Sequence, residues 1–67
     1  PVTAEEAASI VAGKVSGASA ADVDIWEESG DGRGRYEGDL FLDGIKYEFE
    51  IDPQTGRIID WTADLRD

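Results

Sequence analysis

The sequence predicts an α+β domain, with one N-terminal helix packed on one face of a four-stranded antiparallel meander. Three observations predict it. Apolar and charged residues alternate strictly on both sides of Asp43-Gly44. Thr3-Ala4-Glu5-Glu6 opens a segment whose apolar residues recur at helical spacing. The turn residues Asp52-Pro53-Gln54-Thr55-Gly56 separate the alternating hairpin from a last apolar run. With 67 residues, 40% of them hydrophobic, the chain reads as a single folded domain over residues 1–67 with one small core.

The helix comes first. Thr3 fits an N-cap with Glu6 three positions on, the capping-box pattern, and Glu5 and Glu6 suit the positive end of the helix dipole. Ala4, Ala7, Ile10, Val11 and Val15 follow on one face. The helix is expected over about residues 4 to 15, with Gly13 weakening its last turn by roughly 1 kcal/mol relative to Ala and Ser16-Gly17 as its cap. Val23 and Ile25 then alternate with Asp24 and Trp26, which predicts a first strand over about residues 22 to 28. Residues 30 to 34 read as a glycine-rich loop.

The central hairpin is the best determined part. Tyr36, Gly38, Leu40 and Leu42 share a face with Ile45, Tyr47, Phe49 and Ile51. Glu37, Asp39, Phe41, Lys46, Glu48 and Glu50 share the other. A two-residue Asp-Gly connection fits a type I′ turn. A register slip of one residue would put the whole apolar set in water, so Leu42 should face Ile45, Leu40 should face Tyr47, and Gly38 should face Phe49. Gly38 stands where the inner face wants bulk, and Phe49 is expected to fold over it. Pro53 presets the next turn and Gly56 is free to take positive φ. Ile58 to Ala63 make the final strand, with Ile59, Trp61 and Ala63 on the core side.

Charge narrows the function. Sixteen acidic residues against six basic ones give a net charge of −10. That argues against nucleic-acid binding and against adsorption to anionic lipid, and leaves a basic protein partner, cations or solubility. No apolar run approaches the roughly 18 residues of a membrane span, so no membrane insertion by this segment is expected. The chain begins at Pro1, which suggests an excised or mature fragment. It has no His and no Cys, which removes the commonest bases, nucleophiles and soft metal ligands. Carboxylate-pair catalysis needs a pocket that a single helix on a sheet hardly provides. Asp43-Gly44 and Asp52 to Gly56 lack the alternating acids and closing Glu of a calcium loop. No catalytic residue, cofactor or metal site is expected.

The outer sheet face carries the candidate site. Its register sets Glu37 opposite Glu50 and Asp39 opposite Glu48, and like charges so placed cost a few tenths to about 1 kcal/mol per pair. Pairing of the first strand adds Asp24 opposite Asp39, with Trp26 and Phe41 projecting from the same side. Trp26, Glu37, Asp39, Phe41, Glu48 and Glu50 therefore read either as an interaction surface for a basic protein patch or as a solvated face that keeps the domain soluble and its edges unpaired. The sheet edges are a third candidate surface, open to an added strand.

Thr3 to Ala7 with Ile10, then Tyr36-Glu37, then Asp43 to Ile59 (the run of aromatic and aliphatic residues alternating with Glu, followed by Asp-x-x-Thr-Gly-x-Ile-Ile) resemble a PepSY domain from Thr3 to Trp61. The resemblance implies a non-catalytic domain that is secreted or exposed at the cell envelope and restrains a peptidase. It supplies no catalytic residues. Gly38 and the loop at 30 to 34 depart from the pattern without threatening the fold. The alternatives are a structural or sensory module of a larger secreted or membrane-anchored protein, and an acidic mimic of nucleic acid.

Overall fold

A computed structural model describes residues 1–29 and 34–65. Helix α1 (Ala4–Ala12) leads through a short 3-10 turn (Ala20–Asp22) into β1 (Val23–Glu28), β2 (Arg35–Leu42), β3 (Ile45–Ile51) and β4 (Ile58–Leu65). The strands form one antiparallel sheet in chain order, the predicted meander. The glycine-rich loop expected at 30 to 34 lies, apart from Gly34, outside the described residues.

The capping box forms as its residues require. Thr3 Oγ1 accepts from the Glu6 N–H at 3.1 Å, and Glu6 Oε1 accepts from the Thr3 N–H at 2.8 Å. The helix stops three residues sooner than its spacing suggests. Gly13 is its C-cap, and Lys14 and Val15 donate instead to Val11 and Ala12, the three-residue step of a tightened last turn. Glycine gives the helix little reason to continue, and Val15 reaches the core from this turn. The buried helix face is Ala7, Ala8, Val11 and Ala12, small enough for α1 to lie close on the sheet.

The hairpin register is the predicted one, pair by pair. Asp43 and Gly44 both take positive φ, 53° and 78°, which makes the turn type I′. Ala7, Val11 and Val15 meet Tyr36, Leu40, Phe49 and Ile51 in a single buried cluster. Full burial of side chains such as Leu40, Ile51 and Val11 contributes about 1.5–3 kcal/mol each. At Gly38 the sheet is pinched. A Cβ there would strike the Asp24 carbonyl oxygen and lie 2.5 Å from Phe49 Cζ, so the Phe49 ring does cover this backbone.

The turn after β3 is stitched to the start of the chain. Gly56, at φ 78°, donates to the Asp52 carbonyl at 2.8 Å, and a Cβ on it would press on Ile10 and Val2 at 3.0 and 3.1 Å. Val2 donates to the Pro53 carbonyl at 2.7 Å, and the Tyr36 hydroxyl donates to the Val2 carbonyl at 2.9 Å.

Two expectations for β4 are corrected. The register shifts between Glu50, which faces Asp60, and Ile51, which faces Ile58. Ile59 is the extra residue of this bulge and is exposed, so Ile58 takes the core place expected for Ile59. Trp61 does turn to the core side, opposite Phe49, with its ring 5.5 Å from that of Tyr47. Ala63 shares that side but stays exposed because the roof is too short. Nine helical residues span about 14 Å, whereas eight strand residues span about 26 Å. Helix α1 lies nearest β1 and β2, and leaves the β3–β4 corner beside the hairpin turn uncovered.

Candidate functional site

The outer face is built from three rows of side chains, each crossing the sheet through opposed residues. One row is Trp26, Glu37, Glu50 and Asp60. The next is Asp24, Asp39, Glu48 and Thr62, and the third is Phe41, Lys46 and Asp64. All six residues singled out from the sequence stand on this face. A shallow depression of about 250 Å³ brings together Trp26, Glu37, Glu48 and Glu50, with Asp60 and Thr62 completing its β4 wall. Asp39 and Phe41 lie outside that depression. Asp60 and Thr62 were absent from the sequence-based set, although alternation outward from Trp61 points to both.

Charges on this face are only partly balanced. Arg35 Nη1 holds Glu50 Oε1 at 2.8 Å, and Lys46 Nζ lies 3.6 Å from Glu48 Oε2 and 5.7 Å from the centre of the Phe41 ring. Partial burial raises the Glu37 carboxyl above its ordinary 4.5. The negative charges of Glu50 and Glu28 and a hydrogen bond with Glu50 push the same way, and Arg35 opposes them. Asp39 sits between Asp24 and Glu48, and its Oδ1 is closed off from solvent without a hydrogen-bond partner. Such an oxygen costs about 1–3 kcal/mol. The two aromatics remain open to a partner, Trp26 at 45% and Phe41 at 42% exposure.

These rows hold carboxylates, two aromatics and the Lys46 amine. They offer aromatic surface set among carboxylates, on a sheet stiffened by its other face. Among the described residues no three His, Cys, Asp or Glu side chains converge as metal ligands would. No helix among them is long and apolar enough to cross a membrane.

The architecture defines a small α+β domain, a meander under one helix with an acidic open face. The family described as the peptidase propeptide and YPEB domain, PepSY, matches residues 1–62, and the chain belongs to that family. No curated protein and no solved structure matches the chain significantly. The family is associated with peptidase propeptides, is generally non-catalytic and is typically extracytoplasmic.

Proposed function

We propose that this domain is a non-catalytic protein-binding module that regulates or inhibits a peptidase at the cell envelope or outside the cell. Its contact is the outer sheet face, with Trp26 and Phe41 as anchors and Glu37, Asp39, Glu48 and Glu50 set against a basic surface of the partner. The observation that carries the reading is the acidic face itself. Like charges are stacked across three strands at a cost in stability, around two aromatics left in solvent. A partner that supplies cations removes the repulsion as it binds, so the strain becomes binding energy. Membership of a family associated with peptidase propeptides supports a peptidase as the class of partner.

Titration against secreted metallopeptidases tests the reading. Binding with loss of peptidase activity is expected, weakening as salt is raised. Trp26→Ala and Phe41→Ala are expected to weaken it by about tenfold each while leaving the fold intact. Neither binding nor inhibition at micromolar concentration would instead favour a structural or sensory module of a larger protein.

A further inference from the structure

We infer that the free edge of β4 is a strand-addition site for an extended segment of a basic partner, one that alternates apolar residues with Lys or Arg. The inference rests on the chain being a protein-binding module, but not on the acidic face being its contact.

Backbone polarity places the site. In the two-residue hairpin, Leu42 and Ile45 exchange hydrogen bonds, so alternation along β3 sends the Glu48 and Glu50 backbone groups towards β4. Their partners Thr62 and Asp60 answer them, and the N–H groups of Trp61, Ala63 and Leu65 face the open edge. The Trp61 N–H confirms the parity, since it donates to its neighbour Asp60 Oδ1 at 2.9 Å.

The edge has few of the usual defences. Natural edges are blunted by an inward charge, a proline, a bulge or a covering element, and the bulge of β4 lies before Asp60, at Ile59. β1 has two of these. Glu27 stands on its core side opposite Tyr36, and α1 lies against the strand. From Asp60 to Leu65, β4 has neither lysine nor proline, and its core side carries Trp61, Ala63 and Leu65. Leu65 is 85% exposed.

The two sides of the edge specify the occupant. An added strand would lay its apolar residues beside Trp61, Ala63 and Leu65, continuing the uncovered corner of the core. Its alternate residues would fall beside Asp60 and Asp64 on the acidic face, where Lys or Arg is complementary. A second copy of the chain is the poorer occupant. It would bring another Asp60 and Asp64 to the same side and add another charge of −10.

The test uses the whole chain labelled with ¹⁵N and a synthetic peptide alternating valine and lysine, as long as β4. Saturable shifts and slowed hydrogen exchange are expected at Ala63 and Leu65, whose free amides should otherwise exchange fast. Ala63→Pro removes one outward N–H where the ladder to β3 does not use it, so the domain should fold and bind the peptide about tenfold or more weakly. The same peptide N-methylated along one edge controls for folding of the variant, because it removes the backbone bonds from the ligand side and should also fail to bind. Equal binding of the N-methylated peptide, shifts confined to Trp26 and Phe41, or no saturable shift at millimolar peptide would each overturn the inference. Protection of Ala63 and Leu65 that grows with protein concentration alone would overturn the assigned occupant in favour of a second copy. Failure to inhibit any peptidase would count against the regulatory reading above and leave the edge site standing.

Discussion

The two outermost strands of the sheet were given opposite treatment. β1 is short, lies under α1, and its first N–H is taken by the Ala20 carbonyl of the preceding 3-10 turn. It is also clamped from inside, where Phe49 and the Asp24 backbone close on Gly38. β4 is longer, begins with a bulge, and ends beyond the reach of the helix with a leucine in solvent. The lesson is that a single short helix cannot roof a whole sheet, so its position decides which border is covered and which is left bare. Here the helix was placed at the border it enters directly by chain connectivity.

Substitutions can break this contrast, and the largest effect belongs on the sealed side. Gly38→Ala forces a methyl into the Asp24 carbonyl and the Phe49 ring, and is expected to cost about 3 kcal/mol, read as a shift in the urea midpoint. Trp61→Ala on the open side should cost less, about 2 kcal/mol, because that ring is only half-buried and touches the core through Phe49 and Tyr47. Asp39→Asn is expected to stabilise by about 1 kcal/mol in thermal unfolding, since it relieves Asp24 and Glu48 and gives the enclosed position a donor. Leu65→Ser should change stability by no more than about 0.5 kcal/mol, because its side chain meets solvent and not the core.

Two carboxyls, Glu37 on the sheet and Glu6 on the helix, tie stability to pH in opposite senses. The folded-state pKa of Glu37 is raised, so its proton is held more tightly in the folded domain than in the unfolded chain. Its contribution is therefore fully present below about 4.5 and is lost as pH rises through the raised value. Glu37→Gln should raise the melting temperature at neutral pH, with the gain shrinking as pH falls towards 4.5. Glu6 behaves in the opposite sense. The Thr3 backbone N–H, then the Thr3 side chain, holds its carboxyl below the ordinary value, so its contribution is present above 4.5 and lost as pH falls through the lowered one. Melting curves of Glu6→Gln across the same range should show a loss at neutral pH that fades in acid.

Much of this was legible in the residues. The Asp43-Gly44 turn and the strict alternation around it leave one register that keeps Leu40, Phe49 and Ile51 dry, and the opposed acids of the outer face follow from it. The capping box was legible because both of its bonds are local. Three things were not. The end of α1 depended on whether tertiary contacts would carry it through Gly13, and Val15 reaches the core from a looser turn instead. The bulge at Ile59 was hidden because a period-two reading assumes an unbroken ladder, and Ile58 and Ile59 are chemically alike. The bare β3–β4 corner could not be seen from patterns that mark which side a residue faces, since those patterns say nothing of how far the helix reaches.

The stitch between Val2 and the turn at Pro53 has a mechanical consequence. Val2 is fastened at the 52–56 end of the sheet, while Leu65 leaves beside the 43–44 end. The start and end of the described chain therefore lie at opposite ends of the β3–β4 hairpin, and a pull on both is directed along the strands and not across them.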